Sequence, residues 1–526
     1  MIYQTYKMIH DNWSRRVLLA NFFLLPLIIG PFFINFFRDP KWVLLYFSTL
    51  LLLPFTRSIP QIKVPKLFIG LFLLIIIYHF QAPLSPFLLD MLCFTLLCFV
   101  TYNVAQKSPD NFLEQIGKFN LPATILVLCI SYLQLFKIPL SGPFEFFPVG
   151  NFTSFFGNTI FTGEFLALSC LLLLYGWETQ KKKIYLVLIF LSLILIYYLF
   201  SRMVILGIIL AYFIPRWKKK IPIKVLLPLF LILGALAFTQ IGSPLTSKGL
   251  LNTKRSSFDQ RWSLVLNSLA MIKDRPFFGF GPGRFSISYI PYRNAIKHDP
   301  FVTEHRHRDD PHSGPLRVAV EFGLPFALMI LFLWSKLFGS FIKRKESYLN
   351  RFLLGVLIFY TIDFLFGFPW LLPYPFFFAA VCLGIGLSGQ KEIVLGRKAK
   401  KIVIILSFLL IGFRTGSYSL SRYLAKNYPN DFTKMGLACK LTPYMWENCY
   451  QRVKMANRYG KYNEVIDISK KLRSLYPGHS AFIKSSAIAF VKKGQIKKAC
   501  DNLQYYEKIV GKENSLKNFA QSFCND

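Results

Sequence analysis

The sequence predicts an all-α polytopic membrane protein with about 13 transmembrane helices and a C-terminal α-helical repeat domain. Three observations predict it. Apolar residues make up 54% of the 526 residues, and mean hydropathy is +0.42. Apolar runs recur along the chain, each near the ~20 residues that cross a bilayer as a helix. After about Ser417 the chain turns polar and basic and the runs stop.

In chain order the expected spans are 17–37, 42–55, 66–80, 86–105, 121–137, 159–177, 184–200, 203–215, 224–241, 315–338, 351–369, 372–388 and 402–415. The second and eighth are short, as tilted or re-entrant helices are. Proline within spans (Pro26, Pro54, Pro228, Pro325, Pro375) is compatible with this, because neighbouring helices satisfy the freed carbonyls. The first run follows Lys7, Arg15 and Arg16 without a small-residue cleavage site and reads as a retained helix. The formal charge of +36 does not point to nucleic acid, since most Lys and Arg sit in short clusters between apolar runs.

Those clusters orient the chain. Alternate loops carry Lys181–Lys183, Arg216 with Lys218–Lys220, Lys343–Arg344–Lys345, and Arg397–Lys398 with Lys400–Lys401. The N-terminal segment and Arg57, Lys63 and Lys66 belong to the same set. The opposite short loops hold little beyond Arg38, Lys41, Lys137 and Arg202. The positive-inside rule then places the N-terminus in the cytoplasm, and the long 242–317 loop and everything after residue 416 outside it. Residues 1–416 form the membrane domain and 417–526 an external helical domain.

The tail contains an internal repeat. Tyr459-Gly460-Lys461-Tyr462, followed by Val465 and Ile468, recurs as Lys493-Gly494-Gln495-Ile496, followed by Ala499 and Asn502, an offset of 34 residues. Pro477 stands 17 residues after Gly460. This resembles a tetratricopeptide repeat; a generic helical hairpin is the alternative. Helices around 418–427 and 433–457 extend the stack. The tail suits a protein partner better than catalysis. Five cysteines lie in apolar spans, and the four others, Cys439, Cys449, Cys500 and Cys524, lie in the tail. An even number outside the cytoplasm suggests disulfides. Proximity favours Cys439–Cys449 and Cys500–Cys524 among the three possible connectivities.

The 242–317 loop carries the chemistry-capable residues. It holds four of the seven histidines, and twelve Lys and Arg against six Asp and Glu. A basic loop outside the cytoplasm fits an anionic ligand. Arg202 is the lone charge between Ile184 and Pro215; it either snorkels to headgroups or grips a phosphate with its fork. Residues from about 258 to 272 have helical spacing and would lie along the membrane surface. Arg261-Trp262 precedes Pro276-x-x-Gly279-x-Gly281-x-Gly283-Arg284-Phe285, where glycines let the backbone approach a ligand closely. No strand precedes this stretch and no Gly-Lys-Ser/Thr follows, so it is no nucleotide loop. His305-Arg306-His307-Arg308-Asp309-Asp310-Pro311-His312 admits a metal site or a single general base. The interleaved arginines and the absent strand pattern disfavour metal, and no cofactor is expected. His312 is the candidate base, held just before a helix starting near Pro315. Glu321 could orient it or cap structure.

Taken together these segments resemble the O-antigen ligase/polymerase family, membrane glycosyltransferases acting on undecaprenyl-diphosphate-linked glycans. The likeness rests on Phe155-Phe156-Gly157-Asn158-Thr159, Ser201-Arg202, Arg261-Trp262 with the glycine stretch, and His312-x-x-x-Leu316-x-x-x-x-Glu321-x-Gly323-Leu324-Pro325. It covers roughly residues 150–390. Ser313 stands where the family often has Asn, and Asn158-Thr159-Ile160 departs from its Asn-Pro-Asn-like element. The resemblance implies that Arg202 and Arg261 bind the donor diphosphate and that His312 activates the acceptor hydroxyl, with Arg284, His305 and His307 as secondary candidates. It implies the bacterial inner membrane, a periplasmic site and tail, and an acceptor that is lipid A-core, another glycan or a protein hydroxyl. A glycolipid transporter is the competing class. It fits less well, because the chain shows no half-repeats and few mid-span acids (Asp90, Glu164, Asp363).

Overall fold

The structure is a computed structural model. It describes residues 2–29, 35, 37–56, 62–65, 86–106, 108–138, 153–199, 202–216, 250–292, 310–367, 372–387, 392–395, 397–442, 446–475, 480–510 and 524. The expected spans 66–80 and 224–241 lie outside them, as do His298, His305, His307 and Pro477.

The described chain is helical apart from one two-stranded antiparallel ribbon that pairs Ile62–Pro65 with Glu392–Leu395. Four helices are long and apolar enough to cross a membrane: Pro109–Leu135, Thr159–Gln180, Leu324–Ile342 and Tyr348–Phe366. Four shorter apolar helices accompany them, and the protein is an integral membrane protein. Helix starts follow local chemistry. Asn158 caps Thr159–Gln180 through the Ile160 amide at 2.8 Å, and Ser347 caps Tyr348–Phe366 through the Asn350 amide at 3.0 Å. Proline opens Pro109–Leu135 and Pro373–Gly386, where its missing N–H costs nothing. Inside the bundle, polar groups are satisfied between helices. The Tyr374 hydroxyl donates to Asn120 Oδ1 at 2.7 Å, and Asn120 Nδ2 donates to Ser169 Oγ at 3.0 Å.

Polar contacts gather at the two ends of the helix Thr159–Gln180. At one end Glu178 takes Arg216 at 2.8 Å and Arg351 at 3.8 Å, and Arg344 donates to the Gly386 carbonyl at 2.6 Å. These contacts gather three of the basic loops. At the other end Lys41 donates to the carbonyls of Pro26 and Ile28 and lies over the Phe156 ring, while Asp39 accepts from Tyr418 at 2.6 Å.

Three boundaries differ from the sequence reading. The span expected at 315–338 is two helices, Gly314–Phe322 and Leu324–Ile342, because Gly323 breaks it at φ +87°. The last span and the helix expected at 418–427 are one continuous helix, Arg397–Asn427. The helix expected at 433–457 is two, Phe432–Leu441 and Trp446–Arg458, clamped by the Cys439–Cys449 disulfide. Beyond them come Tyr462–Leu475, Ser480–Lys492 and Ile496–Val510. The 34-residue offset is visible as a repeated turn. Gly460 and Gly494 have φ +68° and +70°, and the following amides (Lys461, Gln495) each reach back five residues, to Ala456 and Phe490, at 2.9 Å. Cys500 pairs with Cys524, so both disulfides join the cysteines that proximity favours.

Candidate active site

A second apolar cluster, apart from the bundle core, builds the site. Leu264, Met271 and Ile272 of the helix Leu250–Asp274 pack with Phe285, Tyr289, Ala319 and Val320. This helix matches the expected 258–272 segment and begins earlier. Arg261 and Trp262, a turn before Leu264, are exposed.

The glycine stretch then runs back along the helix Gly314–Phe322. The Phe280 amide donates to the Val320 carbonyl and the Gly281 amide to the Glu321 carbonyl, both at 2.9 Å; the Leu324 amide donates to the Pro276 carbonyl at 2.7 Å. The approach leaves no room for side chains. A Cβ on Gly279 would stand 2.5 Å from the Glu321 carbonyl carbon, and one on Gly323 would stand 2.2 Å from the Phe277 carbonyl oxygen. Both glycines also have positive φ. The glycine pattern thus serves backbone-to-backbone contact. The two motifs, separated by some thirty residues of sequence, form one unit.

His312 lies in the turn entering the helix Gly314–Phe322, at φ +54°, a left-handed conformation uncommon outside glycine. Its amide donates to Asp310 Oδ1 at 2.7 Å. Asp310 Oδ2 accepts from Arg317 Nη1 at 2.9 Å, and Arg317 Nε donates to Glu321 Oε1 at 3.2 Å. Glu321 also accepts the Gly283 amide at 2.9 Å and the Phe285 amide at 3.2 Å. Burial raises the Asp310 carboxyl above its ordinary range, although Arg317 and the His312 amide pull the other way. Burial also opposes the charge on Arg317, but Glu321 and Asp310 outweigh it, so Arg317 holds its proton more tightly than usual. Of the two roles open to Glu321, the capping role is what its contacts show. It is linked to the His312 backbone through Arg317 and Asp310.

Arg284, flanked by the two amides that Glu321 holds, is exposed. Arg261 sits on the helix that packs against Gly314–Phe322. Arg202 opens the helix Arg202–Phe213, and its side chain lies outside the described residues. That helix runs antiparallel along Tyr348–Phe366, with Gly207 against Phe359 and Ala211 against Gly355. This register sets the start of the helix level with the Asp363 end of its neighbour. Pro315 shares a cavity wall with Thr361, Phe364 and Leu365 at that same end. The backbones of Arg202 and the His312 turn therefore meet one end of one helix. The cavity is apolar, about 300 Å³, and bounded by Met91, Trp334, Phe341 and Phe376 among others. Leu331 and Leu365 on its wall are exposed, so it opens on the apolar outside of the bundle.

The sequence reading counted Arg317 only among the charges of the loop and named Asp310 only within the His305–His312 run. The i,i+4 spacing of Arg317 and Glu321 was the available signal.

No curated protein matches the chain. Residues 186–332 match the family model described as O-antigen ligase. The matched segment is narrower than the expected 150–390, and it contains Arg202, Arg261, the glycine stretch, Arg284, His312 and Glu321. Through that segment the chain is similar to O-antigen ligases.

Proposed function

We propose that the protein is a glycosyltransferase that moves a glycan from undecaprenyl diphosphate to an acceptor hydroxyl at the periplasmic face of the bacterial inner membrane. The observation that carries this reading is the single hydrogen-bonded unit joining the His312 turn to the glycine stretch and Arg284, inside the segment matched to O-antigen ligases. The His312 imidazole takes the acceptor proton as its oxygen attacks the anomeric carbon. The carbon–oxygen bond to the diphosphate breaks on the opposite side, so the centre inverts. The electron pair leaves with the undecaprenyl diphosphate, whose developing charge faces Arg202 and Arg261. The guanidinium forks supply the positive charge, and no metal takes part. The apolar cavity beside Pro315 suits the hydrocarbon of such a donor. The acceptor is lipid A-core, a further glycan repeat or a protein hydroxyl; the tetratricopeptide-like tail, with its repeated turns at Gly460 and Gly494, fits a protein partner.

The test incubates purified protein with undecaprenyl-diphosphate glycan and each acceptor class and follows undecaprenyl diphosphate release. His312→Ala nearly abolishes release while the protein stays folded. Arg202→Ala and Arg261→Ala weaken donor use, lysine rescues them poorly, and EDTA changes nothing. Wild-type turnover by His312→Ala removes the base from the mechanism. Movement of labelled glycolipid across vesicles without release would support the transporter instead.

A further inference from the structure

We propose that Arg317 is a positioning residue that fixes the spacing between His312 and Arg284 during transfer. This rests on the glycosyltransferase reading and adds to it Arg317, which no motif marks. Arg317 uses two different nitrogens for two different acids: Nη1 for Asp310 and Nε for Glu321. The three side chains are 9%, 4% and 1% exposed. Each acid then spends its remaining capacity on backbone. Asp310 holds the amide of His312, and Glu321 holds the amides of Gly283 and Phe285, on either side of Arg284. One guanidinium therefore sits midway between the backbone of the candidate base and the backbone of an exposed cation beside it.

The chemistry gives this arrangement a use. A base must meet the acceptor hydroxyl while a cation meets the anionic donor, and a misplacement of ~1 Å costs about 10²-fold in rate. His312 is half-buried and Arg284 exposed, and the backbone of each turn is held by one of the two acids. The planar fork of Arg317 sets their separation. A lysine at 317 keeps the charge but offers a single ammonium in place of the rigid fork.

The test uses the full-length protein with Arg317→Lys, Asp310→Asn, Glu321→Gln and the Asp310→Asn/Glu321→Gln pair. Donor turnover and amide exchange are both read. Asp310→Asn is expected to lower kcat with donor KM unchanged, Glu321→Gln to raise donor KM, and Arg317→Lys to do both, with kcat down about 10²-fold. The double variant should match Arg317→Lys within about twofold, since the three act as one unit. In Arg317→Lys the amides of His312, Gly283 and Phe285 should exchange faster together. The proposal is overturned if Arg317→Lys keeps wild-type kcat and KM, if those amides keep their wild-type rates, or if the losses in the double variant multiply. Should the wild-type protein release no undecaprenyl diphosphate with any acceptor, the functional reading fails, and the exchange measurement still decides whether Arg317 joins the two turns.

Discussion

Replacing Gly323 with alanine should open the join between the two motifs without unfolding the bundle. The backbone there sits at φ +87°, ψ 167°, a region open essentially to glycine alone. Forcing alanine into it costs about 1–3 kcal/mol. The new Cβ would meet the Phe277 carbonyl oxygen at 2.2 Å and its carbon at 2.5 Å. Both are backbone atoms, so no rotamer relieves the clash and the 276–278 turn must withdraw. Withdrawal breaks the bonds from Leu324 to Pro276, Phe280 to Val320 and Gly281 to Glu321. At about 1 kcal/mol each they add about 3 kcal/mol, for a total of about 4–6 kcal/mol. The main apolar core lies elsewhere, so the loss is local. Amide exchange at Phe280, Gly281 and Leu324 should accelerate by at least about 10³-fold, the equivalent of ~4 kcal/mol. Turnover should fall with it. Gly117→Ala is the control, because its Cβ would meet nothing within 4 Å in the middle of a helix; alanine there stabilises by up to about 1 kcal/mol. Wild-type exchange rates and turnover in Gly323→Ala would refute the claim that glycine is required by backbone contact.

Other perturbations test separate parts of the fold. Asn158→Ala removes the cap on Thr159–Gln180 and should cost about 1 kcal/mol, read as a lower thermal midpoint in detergent with little change in donor KM. Reduction of the intact protein should release Cys439–Cys449 and Cys500–Cys524, each loop contributing about 3 kcal/mol to the tail; peptide mapping that finds other pairings, or four free thiols, would contradict this. Asp310 binds its proton more tightly in the folded protein than in the unfolded chain, so its contribution to stability is full below the ordinary aspartate range and is lost as pH rises through its raised value. Midpoints of wild type and Asp310→Asn measured across that window should therefore diverge, with the wild type losing stability relative to the variant as pH rises. A constant difference would mean the carboxyl titrates alike in both states.

The apolar helices among the described residues were legible because they depend on composition, which each segment carries by itself. The basic loop after the Glu178 helix and the one at Arg216 share an end, as the contact between Glu178 and Arg216 shows. The turns at Gly460 and Gly494 were legible for a similar reason: a glycine that must take positive φ marks itself. What sequence could not show was pairing at a distance. Gly279 read as a place of close approach to a ligand and Gly323 only as part of a second motif, yet each is glycine because the other motif's backbone lies against it. Arg317 sits in a run whose apolar average hides its charge, and only the break at Gly323 removes it from the span. The second disulfide was found by proximity along the chain, which succeeds when partners are near in sequence and says nothing about Asp39 and Tyr418, joined across 379 residues.

A buried trio of two carboxyls and one guanidinium is a poor way to gain stability, since desolvating the charges offsets most of their attraction. In this site the balance is worse than in a simple pair, because acids outnumber bases. The raised proton affinity of Asp310 shows burial prevailing over its partner. The remaining negative charge is met by the amides of His312, Gly283 and Phe285, all donors fixed in the backbone. Apolar side chains of equal volume would fill the same space, but would leave those three amides without acceptors in a buried place, and the turns they belong to would rearrange. The charges therefore specify a backbone geometry that packing could not. That geometry governs the turn holding the candidate base at φ +54° and the residue pair bracketing Arg284. Strain at a candidate base, held by a network that stabilises little else, fits a site shaped for reaction better than one shaped for folding.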